Sequence, residues 1–315
     1  MTEKIATRDA YGQTLAELGK TNLDLVVLDA DLSGSTRTAE FAKVFPERFF
    51  NMGIAEANMI ATAAGLAAAG KLPFASTFAV FATGRAFDQV RNSVCIAQLN
   101  VKIAASHAGL TVGEDGASHQ SVEDISLMRS LPGMTVIVPA DAVETRLAVK
   151  AAAAHKGPVY LRLGRPKVPV ILSRDYQFSI GKAALLRDGN DVTVVACGYM
   201  VGVALEAAQL LEQEGIEARV LNMSTIKPID RYALVTAAQE TGAIVTAEEH
   251  SIIGGLGSAV AEVIAEEYPV PVHRVGIKDT FGESGAPGEL LQKYGLTVEE
   301  IVAQAKNAMA KKSNK

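Results

Sequence analysis

The sequence predicts an α/β fold made of two doubly wound, mostly parallel-sheet domains, and three observations lead to this prediction. Short runs rich in β-branched residues alternate with longer helical segments. These runs are almost continuously apolar, as expected of parallel strands that helices cover on both faces. A chain of 315 residues is also long enough for two domains of ordinary size.

Nine segments are predicted to be strands: 24–30, 71–77, 101–106, 134–140, 158–163, 191–198, 217–223, 242–249 and 271–277. Helices are predicted between most of them, for example over 142–155 and 199–215. Segment 164–190 breaks this rhythm, because it has two prolines, scattered charge and no sustained period. We therefore predict domains at 1–168 and 190–315, joined by a linker over 169–189.

The composition argues against several classes of protein. With 49% hydrophobic and 21% charged residues, the chain is typical of a packed globular protein. A net charge of −5 gives no broad electrostatic reason to bind nucleic acid or an acidic membrane. The start of the chain has no hydrophobic signal core, so we expect a cytoplasmic protein. Cys95 and Cys197 lie in apolar segments and are predicted to be buried, reduced thiols.

Candidate site residues follow the predicted strands, because ligands bind beyond the carboxyl ends of strands in open parallel sheets. Segment 31–37 follows the first strand and is rich in hydroxyl and acidic side chains. Loop 107–120 follows the third strand and combines glycines with four titratable residues, His107, Glu114, Asp115 and His119. Two later strands are followed by Gly164 and Arg165, and by His250 and the glycine-rich segment 254–260.

Each of these features also has a structural interpretation, and the residues alone leave both open. Asp31 and Ser33 could cap the next helix. His107 and His119 could be ordinary loop residues; their spacing fits no common zinc site, so no metal is predicted on this chain. The glycines of 254–260 could serve close helix packing, which is the interpretation we favour for them.

Glu56 is the only charged residue between Arg48 and Lys71. A buried, unpaired carboxylate is costly. Glu56 therefore either lies at a wet helix N-terminus, where the helix dipole favours it, or has a chemical role. Phe78 and Phe81, which follow a predicted strand, are by default core residues.

Several separated motifs occur in one order along the chain: 6–13 (ATRDAYGQ), 28–36 (LDADLSGST), 47–59 (ERFFNMGIAEANM), 75–81 (ASTFAVF), 85–91 (RAFDQVR), 106–120 (SHAGLTVGEDGASHQ), 130–134 (SLPGM), 162–166 (RLGRP), 226–230 (IKPID) and 247–260 (AEEHSIIGGLGSAV). In these motifs the chain resembles the second part of transketolase, the pyrimidine-binding domain followed by the C-terminal domain. The resemblance covers nearly all of the chain. The metal–diphosphate signature of thiamine diphosphate enzymes, Gly-Asp-Gly followed by Asn, is missing.

The resemblance therefore implies one subunit of a split transketolase. Such an enzyme transfers a two-carbon ketol unit from a ketose phosphate, such as xylulose 5-phosphate, to an aldose phosphate, such as ribose 5-phosphate, through a thiamine diphosphate adduct. The diphosphate and its Mg²⁺ (or Ca²⁺) would be held mainly by a separate N-terminal subunit, in an α2β2 heterotetramer. The pentose phosphate pathway would be its setting.

The resemblance also implies roles for individual residues. Glu56 matches the glutamate that hydrogen-bonds N1′ of the cofactor's aminopyrimidine, and Phe78 and Phe81 match the aromatic pair that packs on that ring. Asp31 and Leu32 match the loop near the thiazolium. The residues matching those that meet the sugar are His107, Asp115 and His119, and those matching the phosphate clamp are Arg8, Ser35 and Arg165. Glu56, His107 and His119 are the expected catalytic residues.

Two departures from the family pattern are visible. Thr83 and Gly84 stand where the family often has a third aromatic, with Phe87 slightly later. Some transketolases carry Gln at the position of His119. Alternatives that stay open are a transketolase for an unusual sugar phosphate, a relative of deoxyxylulose-phosphate synthase, and the β chain of a 2-oxoacid dehydrogenase. A non-catalytic regulatory homologue is disfavoured, because the matching site residues are retained.

Overall fold

The computed structural model describes residues 3–312. Its strands are β1 (Lys4–Ala6), β2 (Leu25–Asp29), β3 (Phe49–Asn51), β4 (Leu72–Phe78), β5 (Lys102–Ser106), β6 (Thr135–Ile137), β7 (Val159–Arg162), β8 (Lys167–Pro169), β9 (Ala184–Arg187), β10 (Val192–Ala196), β11 (Ala218–Asn222), β12 (Thr225–Lys227), β13 (Ile244–Ser251) and β14 (Val272–Ile277). Each of the nine predicted strands has its counterpart here.

The α-helices are α1 (Thr7–Gly19), α2 (Ser33–Thr36), α3 (Ala39–Val44), α4 (Glu56–Ala68), α5 (Phe87–Gln89), α6 (Asp124–Arg129), α7 (Ala142–Ala154), α8 (Met200–Gln213), α9 (Arg231–Thr241), α10 (Leu256–Glu267), α11 (Pro287–Lys293) and α12 (Val298–Met309). Two π-helical segments, Phe81–Arg85 and Val90–Cys95, flank α5. Among residues 3–312, no helix is both long and apolar enough to cross a membrane.

Two mostly parallel sheets form the framework, which confirms the predicted fold class. The seven-stranded sheet has the order β12-β6-β7-β5-β4-β2-β3, and the five-stranded sheet has the order β14-β13-β10-β11-β9. Only the edge strands β12 and β9 pair antiparallel with their neighbours in these two sheets. Alternate residues of β2 belong to different core clusters, Val26 and Leu28 to one and Leu25 and Val27 to another, so both faces of the first sheet are covered.

Short edge strands account for the differences from the sequence prediction. β9 lies inside the predicted linker 169–189 and pairs with β11 of the second sheet. β12 comes from the C-terminal part of the chain but pairs with β6, so the two parts share a sheet edge. β12 has three residues, one of them apolar, and β9 is only partly buried, so neither stands out in the sequence as the continuous apolar runs around β6 and β7 do. We still propose that the two domains divide within 169–189.

Buried side chains fill both parts of the molecule. Cys95 and Cys197 are buried and free, as predicted. In α4, Met59, Ile60 and Ala63 are buried, whereas the opposite side of the helix is exposed. α4 follows β3 and packs on β4, which places the N-terminus of α4 at the edge of the sheet where β4 ends.

Candidate active site

Four neighbouring strands end at one edge of the first sheet and bring the candidate segments together. β2, β4, β5 and β7 are adjacent and parallel. Their carboxyl ends therefore lie side by side. Segment 31–37 follows β2, Phe78 ends β4, loop 107–120 follows β5, and Gly164 and Arg165 follow β7.

Glu56 is the first residue of α4 and is only 1% exposed, so the wet helix end considered from the sequence is wrong. Nη1 of Arg85 lies 3.0 Å from each carboxylate oxygen of Glu56. The guanidinium carbon of Arg85 is 4.6 Å from the ring centroid of Phe81. Sequence reasoning did not find Arg85; its only signal was a positive charge shortly after Phe81.

Phe78 and Phe81 form an aromatic platform beside Glu56. Their rings are nearly parallel, with centroids 5.9 Å apart and an interplanar angle of 10°. The His107 ring stacks on Phe78 at 3.8 Å, and the His119 ring meets Phe81 edge-on at 5.4 Å. Contact with two histidines and an arginine distinguishes this pair from ordinary core aromatics. The chemistry offered is a flat apolar surface bordered by one buried acid and two imidazoles.

His107 is held as a neutral imidazole. Its backbone has φ of 58°, a conformation rarely found outside glycine. Nη1 of Arg8 lies 3.2 Å from Nε2, and Oγ of Ser106 lies 2.9 Å from Nδ1. Because a guanidinium can only donate, Nε2 must accept, and Nδ1 carries the proton and donates to Ser106. Burial, with the positive charges of Arg8 and Arg165, lowers the pKa of His107 to about 3.

We expect His107 to stay uncharged from pH 5 to pH 8, with its proton on Nδ1. Long-range ¹⁵N–¹H NMR of the imidazoles would report the tautomer and the midpoint directly. Arg8→Met should raise the pKa of His107, since it removes a nearby positive charge and leaves the burial in place. A midpoint near the ordinary value of about 6.5 in the wild type would contradict this assignment.

Basic side chains gather near His107, and Arg8 contacts the Nε2 edge of its ring. Arg8 also donates to the backbone oxygen of Ser35 at 3.0 Å, and its Nε is buried without a partner. Burial and the charges of Arg37 and Arg165 lower the pKa of Arg8. Arg165 donates to the Val112 oxygen and to Glu114. Several close cations with an unsatisfied donor are suited to bind an anionic group.

The segment after β2 is fixed by Asp29, a buried residue that sequence reasoning did not single out. Its carboxylate accepts hydrogen bonds from the Leu32 amide at 2.6 Å and from the hydroxyls of Thr36 and Thr38 at 2.6 and 2.8 Å. Asp31 is exposed and accepts from Asn51 at 3.0 Å. No side chain caps α2, so the capping interpretation of Asp31 and Ser33 is wrong.

Loop 107–120 is anchored by the C-terminal domain. The Thr111 amide donates to the carboxylate of Glu249 at 2.7 Å, and Nε2 of Gln120 donates to the backbone oxygen of Glu283 at 2.9 Å. At Gly109, where φ is 81°, a Cβ would lie 2.3 Å from Oε1 of Glu249. Asp115 is exposed on this loop. The C-terminal domain therefore holds the loop that carries both histidines.

The glycine-rich segment 254–260 has a structural role, as the sequence analysis favoured. It leads into α10, whose first amides, Leu256 and Gly257, donate to the buried carboxylate of Glu248 at 2.7 and 2.8 Å. A Cβ at Gly255 would lie 2.0 Å from Oε2 of Glu248. The absence of a side chain there allows this close packing.

Most of the predicted residues form one run of contacts, in which Arg85, not indicated by the sequence, links Glu56 to Phe81. It passes from Glu56 through Arg85, Phe81, Phe78 and His107 to Arg8 and Ser35. His119 joins this run through Phe81, and Arg165 is close enough to lower the pKa of His107. Asp31, Leu32 and Asp115 lie on the same segments but outside this run: Asp31 contacts Asn51, the Leu32 amide contacts Asp29, and Asp115 is exposed.

Comparison with known proteins assigns each half of the chain to a known domain family. Residues 3–170 match the transketolase pyrimidine-binding domain, and residues 181–301 match the transketolase C-terminal domain. A protein of Methanocaldococcus jannaschii named as a transketolase C-terminal section is 52% identical over 307 residues, covering 96% of both chains. A 6-deoxy-6-sulfo-D-fructose transketolase subunit of a Clostridium species is 48% identical, covering 97% of this chain and 95% of its own length.

Among solved structures, a split-gene transketolase described as an inactive β4 tetramer superposes with a TM-score of 0.93. It is 61% identical in sequence and covers 98% of this chain and 100% of its own. These matches agree with the order and extent of the motifs and with the fold of both domains. The chain belongs to the transketolase family and contains its pyrimidine-binding and C-terminal domains.

Proposed function

We propose that this chain is the C-terminal subunit of a split transketolase that transfers a two-carbon ketol unit between sugar phosphates. The observation that carries the proposal is the continuous site from the buried acid Glu56, across the Phe78–Phe81 platform, to His107 and the basic group around Arg8. An acid beside an aromatic surface suits a protonatable heterocycle. Imidazoles followed by arginines suit a hydroxylated chain that ends in an anion.

The residues fit the aminopyrimidine of thiamine diphosphate. This cofactor, when bound, supplies a carbanion at C2 of its thiazolium ring. Phe78 and Phe81 would hold the pyrimidine by stacking, and Glu56 would hold a proton against N1′, where burial strengthens the hydrogen bond. His107, neutral and with Nε2 as an acceptor in this structure, and His119 would contact the sugar's oxygens and exchange protons with them.

A separate N-terminal subunit would complete the site. The metal–diphosphate signature is missing from the sequence, so we propose that Mg²⁺ and the diphosphate are held mainly by that subunit. The exposed side of α4 carries Asn58, Ala61 and Gly65, small or polar residues that would allow close packing. We propose that this face lies in an α2β2 interface, next to Glu56 at the start of the same helix.

The substrate phosphate would lie against Arg8, Ser35 and Arg165. We expect Arg165→Met to raise KM for phosphorylated sugars by roughly 10- to 100-fold, the usual worth of a charge-assisted hydrogen bond. KM for an unphosphorylated ketose should change little, because it makes no contact with this cation. Steady-state kinetics would give KM of the variant for both substrate types. An equal rise in KM for the phosphorylated and the unphosphorylated sugar would contradict phosphate binding by Arg165.

A sulfonated sugar is a second candidate substrate, because the Clostridium relative is named for 6-deoxy-6-sulfo-D-fructose. A sulfonate is a tetrahedral oxyanion, which the arginines could bind much as they would bind a phosphate. The relative is similar over nearly its whole length, so this substrate must be tested beside the phosphates.

A coupled assay tests the proposed function. This chain would be co-expressed with its candidate N-terminal subunit and supplied with thiamine diphosphate, Mg²⁺, xylulose 5-phosphate and ribose 5-phosphate. We expect sedoheptulose 7-phosphate only when both chains are present, and poor cofactor binding by this chain alone. Parallel reactions would contain 6-deoxy-6-sulfo-D-fructose or a 2-oxoacid as donor. A cofactor-loaded complex with no activity toward any sugar would overturn the proposal.

A further inference from the structure

We propose that Arg85 occupies the place of the aminopyrimidine when the cofactor is absent and must leave Glu56 and Phe81 before the cofactor's ring can bind. This inference rests on the proposed function, which assigns Glu56 and Phe81 to the pyrimidine. It goes beyond that function because it identifies a side chain of this protein that competes with the cofactor. Displacement of this side chain would then help to set the affinity for the cofactor.

The contacts of Arg85 reproduce those expected of a protonated aminopyrimidine. One nitrogen, Nη1, lies 3.0 Å from both oxygens of Glu56, as a ring N–H would. The planar guanidinium lies over Phe81 with its carbon 4.6 Å from the ring centroid, within the range of a cation–π contact. Both groups are flat and contain an N–C–N unit, so one surface serves either.

Burial decides which of the two partners moves. Glu56 is 1% exposed and fixed at the first residue of α4, whereas the Arg85 side chain is 51% exposed. Arg85 is also preceded by Gly84, where a Cβ would meet open space, so the backbone there is not packed in. The arginine can return its charge to water at little cost, and Glu56 cannot. Displacement therefore moves Arg85 outward and leaves the acid in place.

Pairing also explains why a half-exposed arginine is useful here. Without a partner, Glu56 would be a buried and unpaired carboxylate, which is costly. Arg85 offsets that cost in the cofactor-free protein. The same contact lowers the apparent affinity for the cofactor, because only the fraction of molecules with Arg85 displaced can bind it.

The test is isothermal titration of thiamine diphosphate with Mg²⁺ into the assembled two-chain complex. We compare wild type, Arg85→Met and Arg91→Met; Arg91 is exposed, bonds Asn92 and gives a matched loss of one nearby charge. Arg85→Met should bind about three- to tenfold more tightly, since the competing cation is gone. It should also lower Tm of the cofactor-free complex and leave Tm of the loaded complex close to wild type. Arg91→Met should change neither.

The outcomes separate this inference from the proposed function. Weaker binding by Arg85→Met than by wild type would show that Arg85 holds the cofactor, and would overturn the inference alone. Unchanged affinity and unchanged Tm would also overturn it, because the contact would then have no consequence. If wild type in the assembled complex does not bind thiamine diphosphate at all, the proposed function falls and the inference falls with it.

Discussion

Glu56→Gln is expected to abolish turnover of the assembled enzyme while leaving the fold intact. The change keeps the size of a side chain that is 1% exposed but removes the proton that an acid can hold against a ring nitrogen. General acid–base groups contribute about 10²- to 10⁴-fold to a rate, and we expect a loss in kcat of that order. Glu56→Ala should lose at least as much activity and, because it leaves a void, some stability as well.

The control for this prediction is Glu47→Gln, a like change at a glutamate whose side chain is 68% exposed and pairs with the adjacent Arg48. It should keep wild-type kcat and Tm. Circular dichroism and thermal unfolding of the Glu56 variants would show that the fold survives. Near-normal kcat in Glu56→Gln, with the cofactor bound, would remove the central assignment of the site.

The framework could be predicted from the sequence because its central strands are fully buried and lie in largely apolar segments. β2, β4, β5 and β7 each appear as an uninterrupted buried run, and the rule for parallel sheets then places the following loops at one edge. That rule alone identified loop 107–120 and Arg165 as candidates. The roles of Glu56 and Phe78 came instead from resemblance, since an isolated acid and an aromatic each have a common structural interpretation.

The parts that could not be predicted depend on contacts between distant residues. Arg85 lies four residues after Phe81 in a π-helical segment and covers that ring, but its pairing with Glu56, 29 residues earlier in the chain, follows from no local pattern. β12 exists because β6 offers it an edge. Asp29 looks like one more strand residue until three donors from the following segment are found on its carboxylate. Such features are set by packing, which periodicity does not record.

The buried ion pair between Arg162 and Asp124 is another contact between distant residues that the sequence could not reveal. Nε and Nη2 of Arg162, at the end of β7, donate to the two carboxylate oxygens of Asp124 at 2.7 and 3.1 Å. Arg162 also donates to the backbone oxygen of Glu249 at 2.9 Å, and the hydroxyl of Tyr160 donates to Asp124 at 2.7 Å. Asp124 and Arg162 belong to the first domain and Glu249 to the second. The pair therefore joins the two domains through Glu249, whose side chain also anchors loop 107–120 at Thr111.

Arg162→Met is expected to lower the free energy of unfolding by about 3–5 kcal/mol, because it strands a carboxylate that is 0% exposed. Arg219→Met is the matched control. Its arginine is also buried, but its partners Asp188 and Glu240 are 71% and 51% exposed and would be left in water. We expect a much smaller loss there, because ion pairs whose acids are exposed contribute little to stability. Urea unfolding of both variants at pH 7 would measure the difference, and equal losses would contradict the buried-pair account.

The pH dependence of that loss provides a sharper check. Burial raises the pKa of Asp124, but the charge and hydrogen bonds of Arg162 outweigh it and hold that pKa below its ordinary value. In the wild type, the stability contributed by the ion pair is present above the unfolded pKa of about 4 and is lost as pH falls through the lower folded pKa.

Without Arg162 the burial remains, so the pKa of Asp124 should rise above the unfolded value and the side chain should bind a proton on folding. The deficit of Arg162→Met should therefore shrink as pH is lowered from 7 toward 4, since a protonated Asp124 no longer needs a cation. A deficit that stayed constant over this range would mean that Arg162 stabilises the protein through packing rather than through its charge.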